Sequence, residues 1–466
     1  MSRRPYNAGR RKPALPARLI ESLATTELLA EVFSDTSILQ AMLDFEVALA
    51  RAEARVGIVP KSAASRIAAA ARASEFDIHK LSRGTFRAGT PGIAVVKALS
   101  ERVRTRDQEA AGWVHWGATS QDVTDTALVL LLKRAQTILA GDVERLEKAL
   151  TTLSEQHKTT LMLGRTLMQA APPVTFGLKV AGWLGALSRS SKRLESAFEE
   201  ALVLQFGGAS GTLASLANKG TVVARALAEE LGLRCPEAPW HTHRDRLANL
   251  VCCCGVVAGS LGKMARDISL LMQSEVAEVA EPGGEDRGGS STMPHKRNPV
   301  ACALALAASH RIPGLVASFL SAMVQEHERG VGSWQSEWPT VASIVQSTGS
   351  AASSLAEVAE GLSVDSARMR KNIADTNGVI FAERVMMLLA AELGRDVAHQ
   401  LLEDTIQKGI AQNKDLCTIL AELPEVSSRL NRSVLDQLET PEQYLGSAEA
   451  FRKALLKSTA SNRGER

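Results

Sequence analysis

The sequence predicts an all-α fold with three helical domains, the central one a bundle of long helices. Aromatic residues make up only 4% of the chain, whereas sheet sandwiches and barrels depend on aromatic and β-branched residues. Alanine and leucine, which are strong helix formers, are abundant instead. They lie in helical patterns far longer than the usual three or four turns. A chain of 466 residues is long enough for roughly two to four domains.

The composition excludes several other classes. The chain has 54 Lys and Arg residues against 51 Asp and Glu residues, a net charge of +3, which gives no general electrostatic footprint for nucleic acid or membranes. Its six cysteines lack the spacing of a zinc site or a disulfide framework, so we expect free thiols in a reducing cytoplasm. The longest apolar stretch, Leu250 to Leu261, is shorter than the roughly 20 residues that a bilayer requires. We expect a cytoplasmic protein with no metal and no cofactor.

Residues 1–22 are predicted to form a flexible basic tail. They are rich in arginine and contain no acidic residue before Glu21. An organelle transit peptide is also rich in arginine and poor in acidic residues, so that alternative stays open.

Helical patterns follow the tail in order. Ser34 and Asp35 can cap the first helix, and Gly57 with Pro60 can end it. The domains are expected at residues 23–112 (N-terminal), 113–362 (central) and 363–466 (C-terminal, with shorter helices). The long patterns run from Asp122 to about His157, from just after Pro173, from Arg244 to Glu281, and from Arg311 to Glu360 with an interruption near Pro339. Long helices must bury their wide apolar faces, so we expect a bundle shared between subunits of an obligate homo-oligomer.

Three segments interrupt the helical patterns with small and polar residues, at 113–126, 164–176 and 288–299. In the third segment, paired glycines give a mobile backbone, while two serines, a lysine and an asparagine supply hydrogen-bond donors for anionic oxygens. In the first segment, Thr119 and Ser120 can direct hydroxyls and helix N-terminal amides at an anion. Taken singly, each segment has an ordinary explanation, as a connector, a helix cap or a proline-marked helix start.

Together the three segments resemble the active-site regions of the fumarase/aspartase superfamily. The stretch GSSTMPHKRNP resembles the signature loop of that superfamily. HWGATSQD and GRT followed by Q, P and TF resemble the two other regions, in the expected order. The similarity covers nearly the whole chain from about residue 24 and leaves the basic tail outside. It implies a three-domain helical protomer, a tetramer around a central helical bundle, and active sites assembled from three subunits.

The resemblance also implies which residues carry the chemistry. In that superfamily the first serine of the signature loop acts on the proton α to a carboxylate, and the lysine and asparagine stabilise the resulting aci-carboxylate. The paired glycines imply a lid that closes over the substrate. Arg165 is not included, because it can equally brace the start of a helix. The predicted catalytic residues are Ser290 and Lys296, and the predicted substrate-binding residues are His115, Thr119, Ser120, Gln169, Ser291, Asn298 and Arg329.

Two departures from the superfamily pattern predict the type of reaction. In fumarases and adenylosuccinate lyases the second region reads GRTH, and its histidine works with a glutamate just after the signature loop as acid for a poor leaving group. Here those positions are Leu167 and Ala303. Expelling an amine or hydroxide demands a proton donor, whereas a carboxylate, with a pKa of about 4, leaves or attacks as a stable anion. We therefore predict an intramolecular addition of a carboxylate to a double bond, which is a lactonisation.

Three alternatives remain open from the sequence. A lyase acting on succinyl-amino substrates such as adenylosuccinate shares the TSxD and SSTMPHK patterns, and Leu167 and Ala303 are the positions that argue against it. Some members of the superfamily are structural or binding proteins, but Ser290, Lys296 and Asn298 are all present here. The third alternative is nucleic-acid binding through the basic tail.

Overall fold

The fold is described by a computed structural model that covers residues 19–283, 288, 293, 296–429, 433–434 and 440–464. Within these residues the chain forms 17 α-helices and two small two-stranded sheets, so the predicted all-α class is confirmed. The chain divides into two compact units. Unit 1 comprises the described residues of Met1–Glu144, Ser190–Gly262 and Leu304–Ser354, and unit 2 comprises those of Arg145–Arg189, Lys263–Ala303 and Leu355–Arg466.

The first five helices belong to unit 1, and local sequence signals set their ends. They are α1 (Glu27–Val32), α2 (Asp35–Arg55), α3 (Lys61–Ala70), α4 (Ile78–Ala88) and α5 (Pro91–Arg104). Thr26, Ser34 and Asp77 each accept a backbone N–H from the helix that they precede, which is the usual N-cap interaction. Gly89 ends α4 with a φ of +70°, and Pro91 begins α5, where its missing N–H costs nothing. The predicted cap at Ser34 is confirmed.

The predicted long helices are present, with two corrections. The long helices are α6 (Ser120–Gln156), α7 (Phe176–Ala201), α9 (Asp245–Leu271), α10 (Val300–Ser321) and α11 (Ser333–Gly361). The shorter helix α8 (Gly220–Leu231) lies between α7 and α9 in the sequence. The prediction that α9 reaches Glu281 was wrong, because the chain turns after Leu271 and pairs as a strand. The predicted interruption near Pro339 was also wrong. Pro339 lies inside α11, beyond its first turn, and the break lies at residues 322–332 instead.

Four short strands were not expected from the sequence. They are β1 (Leu161–Thr166), β2 (Gln169–Thr175), β3 (Val279–Ala280) and β4 (Ser363–Val364). β1 and β2 form an antiparallel hairpin where a proline-marked helix start was predicted. The two turn residues, Leu167 and Met168, have φ values of +49° and +68°, a conformation that usually selects glycine or asparagine. β3 pairs antiparallel with β4.

The C-terminal part of unit 2 consists of shorter helices, as predicted. They are α12 (Ser366–Ala374), α13 (Ala382–Leu393), α14 (Arg395–Gln412), α15 (Leu416–Glu422), α16 (Pro424–Ser427) and α17 (Ala448–Gly464). Short 3₁₀ helices lie at Glu21–Ala24, Ala73–Glu75, Ala110–Trp113, Ala214–Lys219, Val379–Phe381 and Pro441–Tyr444. Val385, Leu389, Leu402, Leu416 and Leu420 are buried together in one apolar cluster, which holds α13, α14 and α15 against one another.

Some sequence predictions are not tested by the fold. Most of the basic tail lies outside the described residues, although Glu21–Ala24 form a single helical turn. The three-domain division at 23–112, 113–362 and 363–466 also stays a prediction. None of the six cysteines, all of which are described, forms a disulfide, as expected.

Two helices are apolar enough to span a membrane by length and composition. The most apolar 18-residue stretch has a mean hydropathy of 1.5 in both α9 and α10. In α9, 56% of that stretch is buried, but in α10 only 28% is. Core helices also meet this criterion, and α10 therefore presents an unusually apolar exposed surface.

Candidate functional site

The carboxylate of Asp122, in the first turn of α6, organises one side of the candidate site. It is fully buried and accepts four hydrogen bonds within unit 1. Its Oδ2 accepts the backbone N–H groups of Thr119 at 3.1 Å and Gly208 at 2.9 Å. Its Oδ1 accepts the N–H of Gly207 at 3.0 Å and Nε2–H of His241 at 2.8 Å. Asp122 thus fixes the start of α6 against the loop at residues 207–209.

Thr119 and Ser120 lie at the N-terminal end of α6, as the sequence predicted. Both are partly exposed. The carbonyl of Thr119 accepts the N–H of Val123 at 3.4 Å, and the carbonyl of Ser120 accepts the hydroxyl of Thr124 at 2.8 Å. The carbonyls therefore face along the helix, and the positive end of the helix dipole lies at these two residues.

Arg329 contacts the loop that Asp122 fixes. Its Nη2 donates to the carbonyl oxygens of Ala209 at 3.0 Å and Gly208 at 3.5 Å. Its Nε–H is buried and has no hydrogen-bond partner among the described residues. The structure therefore places this predicted cation against the loop that Asp122 fixes.

His115 makes a close contact with a carboxylate that the sequence analysis did not identify. Its Nδ1–H donates to Oε1 of Glu46, on α2, at 2.6 Å. Burial lowers the pKa of His115, but the charge and hydrogen bond of Glu46 and the charge of Asp122 outweigh it, so the pKa is raised above its ordinary value. The imidazolium form therefore persists to higher pH than in a free histidine.

A second unpredicted group is the buried ion triad around Arg244. The guanidinium donates from Nη1 to Oδ2 of Asp125 at 2.7 Å and from Nη2 to Oε2 of Glu337 at 2.5 Å. Trp334 donates from its Nε1 to Oδ1 of Asp125 at 3.0 Å. Burial raises the pKa of Glu337 to about 7 despite the attraction of Arg244. The triad ties α6 and α11 to Arg244, the residue that precedes α9. Its member Asp125 lies three residues after Asp122 on α6.

In unit 2, the described part of the signature segment lines a crevice of about 780 Å³. Lys296, Arg297 and Asn298 contribute to this crevice together with Ser269 and Gln273. The crevice therefore combines two cationic side chains with one carboxylate, that of Asp365, and several neutral hydrogen-bonding groups, so the cations outnumber the anion. Such a lining suits an anionic ligand.

The backbone of the signature segment is held at two places. The N–H of Asn298 donates to the carbonyl of Gly288 at 3.0 Å, and Gly288 has a φ of +68°, which favours glycine. Glu281 accepts the N–H groups of Ala301 at 3.1 Å and Cys302 at 2.9 Å, so a buried carboxylate caps the start of α10. The predicted Ser290 and Ser291, and the second glycine of the predicted lid, lie outside the described residues.

The β1–β2 hairpin carries the third predicted region. The side chain of Leu167 is 97% exposed and that of Met168 is 70% exposed, and Gln169 is exposed beside them. Arg165 donates to both oxygens of the buried Glu278, at 2.7 Å and 3.0 Å. Arg165 therefore braces the hairpin.

The predicted site residues lie in both units. Unit 1 holds His115, Thr119, Ser120 and Arg329, and unit 2 holds Gln169, Lys296 and Asn298. Within unit 1, Asp122 connects Thr119 with the loop that Arg329 contacts. The sequence analysis did not identify Asp122 as a site residue. A carboxylate in the first turn of a helix lies beside backbone N–H groups that have no partner within the helix, and this position was the available signal.

Comparison with known families identifies the class of protein. A family profile described as "Lyase" matches residues 22–314, and one described as "Adenylosuccinate lyase C-terminus" matches residues 378–455. The chain belongs to this lyase family, which is the fumarase/aspartase superfamily that the three segments resemble.

Individual relatives show which named proteins are similar to this chain over most of its length. A 3-carboxy-cis,cis-muconate cycloisomerase of Pseudomonas aeruginosa is 50% identical over 420 residues, covering 90% of this chain and 92% of the relative. A nitrosuccinate lyase of Streptomyces davaonensis is 40% identical and covers 89% of each chain. The crystal structure of the 3-carboxy-cis,cis-muconate lactonizing enzyme from Pseudomonas putida matches with a TM-score of 0.90 at 46% identity, covering 96% of this chain and 99% of that one.

Proposed function

We propose that the protein is a cycloisomerase that converts 3-carboxy-cis,cis-muconate into 4-carboxymuconolactone, a step in the catabolism of protocatechuate through β-ketoadipate in the cytoplasm. The observation that carries this proposal is the residue at the tip of the β1–β2 hairpin. Leu167 occupies this position. The resemblance to the superfamily implies a histidine here in the members that eliminate water or an amine. A leucine cannot protonate a leaving group. The identity to the two muconate enzymes supports the same substrate.

The reaction rearranges the substrate and takes up one proton, because the trianionic substrate becomes a lactone with two carboxylates. One carboxylate of the substrate attacks the conjugated diene and forms the C–O bond of the lactone. The electron pair moves onto a second carboxylate, which becomes an aci-carboxylate. Ser290 then delivers its hydroxyl proton to carbon and regains a proton from water. Because nucleophile and electrophile belong to one molecule, holding them together lowers the barrier by at most about 7–11 kcal/mol.

The proposed roles follow from the charges of a tricarboxylate substrate. Lys296 and Asn298 bind the carboxylate that accepts the electron pair, with donors from Thr119 and Ser120. His115 and Arg329 bind the remaining negative charge, and Gln169 and Ser291 supply neutral hydrogen bonds. Donors that are fixed before the reaction stabilise the developing charge without a reorganisation cost. No metal or cofactor takes part in this scheme.

We further propose that the enzyme is a homotetramer with shared active sites, with no nucleic-acid or membrane partner. The apolar surface of α10, of which only 28% of the most apolar stretch is buried in one chain, supports burial against other copies. The exposed Leu167 and Met168 side chains at the hairpin tip point to the same conclusion, since exposed apolar side chains in a group mark interaction sites.

The assembly can be tested with matched substitutions. Leu320→Glu, on α10, introduces a glutamate at a residue that is 42% exposed in one chain, and we expect it to dissociate the tetramer because a buried unpaired charge is costly. Val397→Glu, on α14, makes the same change at a residue that is 59% exposed and should leave the tetramer intact. Light scattering after size-exclusion chromatography measures both. A tetrameric Leu320→Glu protein would contradict the assignment of α10 to the subunit interface.

The proposed activity is tested by following the loss of muconate ultraviolet absorbance and identifying the product by NMR. We expect 4-carboxymuconolactone as the product. Formation of fumarate from adenylosuccinate or nitrosuccinate, with no consumption of the muconate, would assign the protein to a lyase function instead.

A further inference from the structure

Glu46 stands out because it lies on the apolar face of α2. Its neighbours on that face, Met42, Leu43 and Leu49, are buried, and Glu46 itself is only 2% exposed. A buried carboxylate is costly unless a cation or donor compensates it. The one compensating side chain among the described residues is His115, whose Nδ1 lies 2.6 Å from Oε1 of Glu46. The second oxygen, Oε2, has no partner within the described chain.

The charge balance around this pair depends on one proton. The titratable groups that face His115 are Glu46 on α2 and Asp122 at the start of α6, both negative partners of the ring. Asp122 also interacts with His241. Glu53, two turns further along α2, is buried without a hydrogen-bond partner for either oxygen among the described residues, and burial together with the charge of Glu46 raises its pKa to about 9. Glu53 is thus neutral at pH 7.

The ring geometry leaves one nitrogen for a ligand. Nδ1 is committed to Glu46, and no hydrogen bond of Nε2 is found to any described residue. His115 also lies in the segment that leads into Thr119 and Ser120, at the positive end of α6. A protonated ring here can donate its Nε2–H to an anion beside these groups. A neutral ring with its proton on Nδ1 has only a lone pair on Nε2, so it offers the anion no hydrogen-bond donor.

We propose that Glu46 is a positioning residue, which orients the His115 ring through Nδ1 and keeps the ring cationic so that Nε2–H binds a substrate carboxylate. The inference rests on the proposed function, since it assigns His115 to one of the carboxylates of the substrate. It gives α2 a role in the reaction, although Glu46 touches no substrate atom. The chain offers a matched control in Glu53, a buried glutamate on the same face of the same helix.

The first test compares Glu46→Gln with Glu53→Gln by pH profile. In the wild-type protein the His115 cation is lost only as the pH rises through its raised pKa. In Glu46→Gln this loss should occur at lower pH, so the alkaline limb of kcat/KM moves to lower pH and KM at pH 8 rises about tenfold, as expected for one hydrogen bond to a charged group, while kcat changes less. Glu53→Gln should leave the limb and KM unchanged. If the alkaline limb of kcat/KM does not shift in Glu46→Gln, the proposal is overturned.

The second test does not depend on turnover. Deuterium exchange at the imidazole Cε1–H, read by mass spectrometry, measures the pKa of His115, and calorimetry measures binding of the probe tricarballylate. We expect Glu46→Gln to lower both the pKa of His115 and the affinity at pH 8. If the muconate is not turned over but the pKa of His115 and the affinity for tricarballylate still fall in Glu46→Gln, the proposed function fails. The positioning role of Glu46 toward His115 is then retained. A wild-type His115 pKa at or below about 6.5 overturns the proposal even if Glu46→Gln does not fold.

Discussion

Replacing Ser290 with alanine is expected to lower kcat by about 10²- to 10⁴-fold, the usual contribution of a positioned general acid or base. In the proposed reaction no other side chain delivers the proton to carbon. The carboxylate that attacks and the carboxylate that receives the electron pair both belong to the substrate. Substrate binding should change little, because Lys296, Asn298 and the cations of unit 1 remain. Steady-state kinetics at saturating muconate measures the effect.

Ser291→Ala is the matched control, since it removes the neighbouring hydroxyl of the same loop. We expect this variant to raise KM more than it lowers kcat, because Ser291 is assigned to binding. Circular dichroism and light scattering should show unchanged helices and an unchanged assembly for both variants. Near-normal kcat in Ser290→Ala would remove Ser290 from its assigned role.

The second large effect is expected from Arg244→Met, and it concerns stability. The substitution removes the cation that pairs with both Asp125 and Glu337, two side chains that are buried. Breaking a buried ion group by removing one partner costs about 3–5 kcal/mol. Burial raises the pKa of Glu337 to about 7 even beside Arg244, and without that cation its pKa rises further, so at pH 8 this carboxyl is protonated in the folded state but ionised when unfolded. The loss of stability should therefore be larger at pH 8 than at pH 5. Urea denaturation followed by circular dichroism at both pH values checks this.

Arg145→Met provides the comparison for the triad. Arg145 pairs with Glu360 at 2.8 Å, but both side chains are 45% exposed, and such surface pairs contribute about 1 kcal/mol or less. We expect only a small change in stability, with little dependence on pH. Equal losses in the two variants would show that the buried triad contributes no more than a surface pair.

The helices were predictable because their signals are local. Ser34 caps α2, Pro91 starts α5, and the uninterrupted pattern after Asp122 gives α6. The β1–β2 hairpin was not predictable in the same way. Its turn residues, Leu167 and Met168, adopt positive φ values without the glycine or asparagine that usually indicates such a turn, so the proline pair suggested a helix start instead.

The candidate site was predictable where motifs carry it and not where burial does. Thr119, Ser120, Lys296 and Asn298 belong to segments whose composition breaks the helical pattern. Glu46 lies inside a regular helix, and only its position among buried leucines and methionines could have indicated a function. A charged residue on an apolar helix face is therefore a signal to examine, because the fold must compensate its burial.

The Arg244 triad illustrates a further limit of sequence reasoning. Asp125, Arg244 and Glu337 are separated widely along the chain, and no spacing rule connects them. Their association depends on how three helical segments of unit 1 pack. Long-range ion groups of this kind require the packed structure, whereas caps and turns depend on a few neighbouring residues.

The central claim is that this enzyme handles a group that is already a stable anion and so needs no leaving-group acid at Leu167. The most direct test measures kcat/KM for 3-carboxy-cis,cis-muconate and for adenylosuccinate with one preparation of the protein at neutral pH. We predict efficient lactonisation of the muconate and no measurable cleavage of the carbon–nitrogen bond. Efficient cleavage of adenylosuccinate with no reaction of the muconate would contradict the claim.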